Sequence, residues 1–585
     1  MNRLSIHLAA RPALCLFALT ALGALAAGCG DDDTKGSVTD TQVADTAADD
    51  IADTAEDVAD TTPIEPGPPY ANVYEISPAE TPETVEVELA HLTSEDGSLL
   101  GDYARVRNCV QDLEGGTLIP LDLGALQLNI TACSPAFTAL PGPAGHYLDI
   151  TPPATPADND GRFAEVMMYH HMQVVHDYYK GTHGLSDRDE PLDALVDVQA
   201  HIDLCDQWAK LPNAAFIPKE GLDQLPFGLG AALDVQGDAI VFSGTETKDF
   251  SFDATVIYHE YTHAMLGATR LSGVFADERG LNNLPGALNE AYADYFATTI
   301  IDSSTLGVYS LNDLGEFSIC GIPLGSGGNA GRDLDNSYTC PNDLTGEVHA
   351  DSELFSAALW EIRNDLGVED ADRVILAAVL TLTQTSDFTA AAEATIDQAF
   401  TLLGEEAETQ VRARFEAHGL IDCSRVLPVD RVGARGLDVS MLSPSDFGGS
   451  NPYGDYAAGY LQYSVEVPEG ATSMTLTFDL ASGGFGALLG GGGGGTPEIA
   501  VDVAFRAGED PLTYVIAGLG VTHDADVVLP MDTETKSVTI AGSCLTSGTL
   551  VFALHNKGDA VALHEVTVET STESTETTNF DSCER

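Results

Sequence analysis

The chain has 585 residues, with Asp+Glu 91 against Lys+Arg 25 and a formal net charge of −66. So large a negative surplus speaks against nucleic acid and anionic lipid as partners and suits a soluble, exported protein. The length exceeds what one hydrophobic core supports, so several domains are expected.

Met1, Asn2, Arg3 and Arg11 give a positive start to an apolar run from Pro12 to Ala27. That run is too short for a spanning helix and has the form of an export signal. It ends Leu25-Ala26-Ala27-Gly28-Cys29, which resembles a bacterial lipobox. Residues 1–28 are therefore expected to be a removed lipoprotein signal, with Cys29 carrying the lipid. The protein would then sit in a bacterial cell envelope, on the outer membrane or cell surface, and touch the membrane only through that lipid. Residues 29–66 are rich in Asp, Thr, Ala and Pro and cannot bury enough surface to offset their ordering entropy, which predicts a disordered acidic tether.

From about Tyr70 to Gly161 the pattern is β-like, with period-two alternation at Thr84 to Leu89. Phe163 to Tyr179 reads as a helix, in which His170, His171 and His176 are ordinary helix residues. A second helix is predicted over Asp253 to Gly267 and contains His259-Glu260-Tyr261-Thr262-His263. Positions i and i+4 share a helix face, so both imidazoles can reach one metal ion, and Glu260 lies beside them as a candidate proton acceptor. A third ligand is offered by Glu290 on a predicted helix from Gly286 to Ile301, with 26 residues (264 to 289) for the return. Asp294, one turn on, shares the face of Glu290 and can accept a ring N–H from a ligand histidine.

Beyond His349, four helical runs are predicted at Ser352–Asn364, Ala371–Thr385, Phe388–Leu403 and Glu405–His418. A boundary falls at Arg425 to Pro428. After it, strands are predicted at Leu461–Val467, Thr472–Leu480, Ile499–Ala504, Ser537–Ile540 and Thr549–Leu554, which argues for a β-sandwich over 427–585. The break also predicts that this part folds alone and is dispensable for chemistry. Gly490 to Gly495 reads as a loop, since no phosphate-binding helix start follows it. Without Cys15 and Cys29, eight cysteines remain, an even number that in an oxidising compartment reads as up to four disulfides. Proximity suggests Cys109–Cys133, Cys320–Cys340 and Cys544–Cys583, leaving Cys205–Cys423.

His259-Glu260-Tyr261-Thr262-His263 followed by Asn289-Glu290-Ala291-Tyr292-Ala293-Asp294 resembles the signature of the zinc endopeptidases of thermolysin and fungalysin type, the gluzincins. The resemblance implies an α+β, two-lobed zincin catalytic domain over 67–424, with a β-rich N-terminal lobe and a helical C-terminal lobe, followed by the all-β sandwich. It implies zinc held by His259, His263 and Glu290, Glu260 as the base, and Asn289 and Asp294 each holding one ligand imidazole. Gly346 to Ser352 resembles the segment that supplies an oxyanion-stabilising histidine, here His349. Asn213-Ala214-Ala215-Phe216 resembles the edge strand that clasps an extended peptide, with Asn213 and Ala214 as substrate contacts. Arg332 resembles the arginine that binds a substrate carbonyl and buttresses the third ligand. Calcium is plausible from the family but no Asp-x-Asp-x-Asp-Gly loop assigns it.

Two positions depart from the family pattern. The tyrosine nine residues before the ligand glutamate is Leu281, and the acidic residue five before the oxyanion histidine is Leu344, next to Asp343. A metzincin would need His-x-x-Gly-x-x-His after His263, and an aminopeptidase its Gly-x-Met-Glu-Asn motif; neither is present. The expected protein is a monomeric, lipid-anchored zinc metalloendopeptidase acting on polypeptides. The alternative is a surface adhesion or binding lipoprotein whose peptidase fold has lost activity.

Overall fold

The computed structural model describes residues 68–573 apart from 123–126, 211, 223–228, 236, 268–269, 272–274, 321, 328–330, 442–457, 483–498, 505–510, 518–519, 542–544, 546–547 and 557–560. Cys29, the tether, the Gly490–Gly495 stretch and the expected pair Cys544–Cys583 lie outside the described residues.

The N-terminal half is built on a mixed five-stranded sheet. Its strands are β1 (Ala104–Val110), β2 (Ser134–Ala136), β3 (Leu192–Val196), β4 (Ala214–Ile217) and β5 (Ala239–Phe242), in the order β4-β5-β3-β1-β2. Central β3 runs parallel to both β1 and β5, while edge strands β4 and β2 are antiparallel to their neighbours. Every residue of β3 is buried, as befits a strand covered on both faces. A four-stranded antiparallel sheet of Leu118–Asp122, Gln127–Ala132, Gln199–Ile202 and Gln207–Lys210 stands beside it.

Helix α1 (Arg162–Asp177) starts at Gly161, whose φ of 77° and contact with the Asn108 side chain leave no room for a Cβ. It packs on β1 and on α2 (Ala254–Leu266). All thirteen residues of α2 are buried, so this is an interior helix rather than a surface one. The rest of the helical region comprises α3 (Leu284–Ile301), α4 (Val348–Leu366), α5 (Val368–Val379), α6 (Phe388–Leu403) and α7 (Glu405–Ala417). The helix expected from Ser352 begins four residues earlier, at Val348, because the Glu347 side chain caps it by accepting from Ala350 N at 2.8 Å. His349 therefore stands on the first turn of α4.

After Ser424 the described chain forms two larger sheets and a two-stranded one, Tyr514–Ala517 with Gly520–His523. Of the larger two, one has five strands (Val426–Pro428, Ala458–Val467, Gly548–Asn556, Ile499–Ala504, Val527–Pro530), the other four (Val439–Met441, Val561–Ser571, Ser473–Ser482, Ser537–Ala541). They meet across side chains such as Phe478 and Phe552, whose rings lie 6.3 Å apart. The strand Val561–Ser571 has no counterpart in the sequence reading. Its apolar alternation shifts phase after Leu563, where the pairing with Ser473–Ser482 carries an irregularity between Asp479 and Leu480.

These sheets pack directly on the rest of the molecule. Arg425 donates to Leu281 O (2.8 Å) and Asp277 Oδ1 (2.6 Å), Gln462 Nε2 to Arg279 O (3.1 Å), and Tyr514 N to Glu278 O (2.7 Å). Buried side chains from Ala71 to Val566 form one contiguous apolar cluster. No helix among the described residues is long and apolar enough to cross a membrane.

Cys109 and Cys133 are bonded, but two expected pairs are exchanged. Cys205 pairs with Cys320 and Cys340 with Cys423, with Cα separations of 5.4 and 5.7 Å. Nearness in sequence fails because α7 brings the chain back to Cys340, whose N–H donates to His418 O at 2.9 Å. Cys320, at the turn of the hairpin Gly315–Ile319/Ile322–Gly327, instead reaches the turn before Gln207–Lys210.

Candidate metal centre

Helix α2 is fixed at its start by Asp253, whose carboxylate accepts from Thr255 N and Oγ1 and from Ser310 N and Oγ. It ends at Gly267, φ 73°. His259 and His263, one turn apart on this buried rod, point their Nε2 atoms at each other across 3.0 Å. Helix α3 enters through Pro285 in its first turn and brings Glu290 alongside. Glu290 Oε2 lies 3.2 Å from His259 Nε2, and Oε1 3.7 Å from His263 Nε2. Among the described residues these three form the one cluster of His, Cys, Asp and Glu with metal-ligand spacing.

The donor set suits zinc. Ligand atoms about 2.0–2.2 Å from one tetrahedral ion stand about 3.3–3.6 Å from each other, close to the three separations found. Glu290 Oε2 is buried without a hydrogen-bond partner among the described residues, a lone pair that a cation would satisfy. His259 Nδ1 lies 2.9 Å from Asp294 Oδ1, so that carboxylate stands behind the imidazole while its Nε2 faces Glu290 and His263. Burial would lower the pKa of His259, but the adjacent carboxylates of Asp294 and Glu290 raise it to about 10: the surroundings favour positive charge here.

Asp294 is itself held by Arg332, which donates from Nε at 2.8 Å and Nη2 at 2.7 Å, and by Ser352 Oγ at 3.2 Å. The planar fork of Arg332 is committed to this carboxylate. It thus braces His259 through Asp294, where a buttress for Glu290 was expected. The expected bond from Asn289 to His263 is not made: His263 Nδ1 is buried without a partner among the described residues. Asn289 is about 100° round α3 from Glu290, off the face that meets α2.

Glu260, 7% exposed, accepts from Phe216 N at 2.7 Å through Oε2. This bond ties it to β4, the sheet edge that carries Ala214 and follows Asn213. Asn213 O accepts from Ser243 N at 3.0 Å, so Asn213 prolongs the strand, and the outer edge of β4 pairs with no other strand among those described.

His349 faces the cluster from α4, its Nε2 3.6 Å from Glu290 Oε2. Its Nδ1 is 2.7 Å from Glu347 Oε1. Burial opposes a charge on His349, yet the carboxylates of Glu290 and Glu347 raise its pKa to about 9. The acidic partner expected at Leu344, next to Asp343, is at neither: Leu344 is in the core, and Asp343 faces Arg431. Glu347 holds that place, and the signal for it was its helix-cap spacing to Ala350. Leu281 is 2% exposed in β6 (Gly280–Asn282), so no hydroxyl stands at the family's tyrosine position.

Residues 280–420 match the family described as thermolysin metallopeptidase, alpha-helical domain. The chain is thermolysin-like over this region. It is 28% identical over 149 residues to the extracellular metalloproteinase mep of Aspergillus niger, covering 23% of this chain and 22% of that one. With mep of Aspergillus flavus it shares 32% over 127 residues, 20% of this chain and 18% of the other. The chain thus spans about a fifth of the length of these curated relatives. Among solved structures, the precursor of protealysin, a metalloproteinase from Serratia proteamaculans, aligns at 16% identity and a TM-score of 0.31, over 45% of this chain and 80% of that one. The thermolysin-like region contains Glu290, Asp294, Arg332 and His349; His259, Glu260 and His263 lie just before it.

Proposed function

We propose that this protein is a zinc metalloendopeptidase that hydrolyses internal peptide bonds of polypeptides. The observation that carries this reading is the convergence of His259, His263 and Glu290 on one point with Glu260 fastened beside them to an edge of β4 that pairs with no other described strand. A bound zinc would supply Lewis acidity for the scissile carbonyl and for water. His259, His263 and Glu290 would hold it and leave one position open. An extended substrate would add to the outer edge of β4 as a further strand, near Asn213 and Ala214. The N–H of Phe216 holds Oε2 of Glu260, so the carboxylate is oriented to take a proton from the attacking water and deliver it to the leaving amine. Glu347 holds Nδ1–H of His349, so Nε2–H is the donor for the oxyanion.

We further read residues 67–424 as the catalytic unit, 427–585 as a β-sandwich, and Cys29 as the lipid anchor of an exported protein. A silent binding protein is the second reading, favoured by the buried Leu281. Purified protein should contain one zinc per chain and cleave an internally quenched peptide. Chelation should abolish cleavage and added zinc restore it. A zinc-loaded protein that cleaves no peptide in a broad library would favour the binder.

A further inference from the structure

The segment Asn342–Glu347 leads into α4 and sets where His349 stands. Part of its support is internal: Asp351 accepts from Thr345 N (2.7 Å), Thr345 Oγ1 (3.0 Å) and Gly346 N (3.0 Å), and Asn283 Nδ2 donates to Gly346 O (2.6 Å). The rest comes from beyond the thermolysin-like region. Ser440 N, in β7 (Val439–Met441), donates to Thr345 O at 2.9 Å. Strand β7 pairs with Val561–Ser571, so this bond ties the segment to a C-terminal sheet. Gly346, φ +74°, lies so close that a Cβ would stand 3.3 Å from Ser440 O and 3.4 Å from the Tyr460 ring.

Arg435 makes the central contact. Its Nη1 donates to Ala350 O (2.8 Å) and Asp343 O (3.3 Å), Nη2 pairs with Glu353, and the guanidinium lies over the Tyr338 ring, 4.0 Å from its centre. It therefore holds the chain on both sides of His349, at Asp343 before it and at Ala350 and Glu353 after it. The Arg435 side chain is 6% exposed, and a guanidinium so buried is tolerated only when its partners are in place. Arg431 adds a bond to Asp343 Oδ1 at 2.7 Å.

We propose that Arg435 is a positioning residue for His349, and that the C-terminal sheets, though outside the catalytic unit of residues 67–424, brace its oxyanion side. This rests on the reading of His349 as the oxyanion donor. The test uses the full chain. Arg435→Met, which keeps the stem and removes the guanidinium, should lower kcat about 10–100-fold, since small misplacements of a catalytic group cost that much. KM and zinc content should stay within about twofold, and Arg435→Lys should recover part of the rate, because the action is on one donor and not on the fold. In a His349→Ala background the same substitution should change nothing further, because its effect runs through that imidazole. An equal loss in both backgrounds, or a folded Arg435→Met with wild-type kcat, would overturn the proposal. Should that variant not fold, Glu353→Gln removes the ion pair with little change of shape and reads the same cycle. The imidazole nitrogen resonances of His349, assigned by their loss in His349→Ala, should move in Arg435→Met. Unmoved resonances overturn the placement by Arg435 itself. Moved resonances with His349→Ala at wild-type rate would instead sink the oxyanion role.

Discussion

The two sides of the metal centre are held in different ways. His259, His263 and Glu290 stand on α2 and α3, two buried helices in contact along their length, and their spacing follows from one helical repeat and one helix pair. His349 stands at the start of a helix whose leading segment is gripped by Arg431, Arg435 and Ser440, some 90 residues later in sequence. The first arrangement is local and stiff. The second depends on docking of the C-terminal sheets. Metal binding and transition-state stabilisation should therefore respond separately to substitution.

The sharpest way to break that separation is Glu290→Ala. It should lose zinc, read by atomic spectroscopy, and with it all hydrolysis above background; full zinc occupancy in this variant would remove Glu290 from the ligand set. His349→Ala should leave zinc in place and lower kcat by about 10²–10³-fold. A wild-type kcat would place the oxyanion on another donor. Asp294→Asn acts one bond further out and should weaken zinc binding about 10–100-fold, measured by competition with a chelator. Unchanged affinity would mean that the Asp294 carboxylate beside His259 Nδ1 does not tune the site.

The same contrast explains what was legible in the sequence. The i, i+4 pair His259 and His263, and Glu290 with Asp294 on the next helix, are written in local periodicity, and the structure brings all four together. The helical region was readable for the same reason, to within four residues at each end except that the run expected to reach Thr385 stops at Val379. Glu347 was missed because its role depends on a helix that starts at Val348 rather than Ser352. The pairs Cys205–Cys320 and Cys340–Cys423 close contacts 115 and 83 residues apart, and no local pattern announces such meetings. The separability inferred at Pro428 came from a change in composition, which carries no information about Arg425 reaching Leu281 or Ser440 reaching Thr345. Arg332 was found but given the wrong partner: a short motif identifies a guanidinium, not which of two neighbouring carboxylates it will fork.

The central claim is tested most directly by Glu260→Gln in the full chain. The three proposed metal ligands and the Phe216 N–H contact at the same atom position are retained, while the proposed proton acceptor is gone. The account predicts one zinc per chain and hydrolysis of an internally quenched peptide reduced by at least about 10²–10⁴-fold. A Glu260→Gln protein that keeps its zinc and still cleaves at the wild-type rate would contradict it.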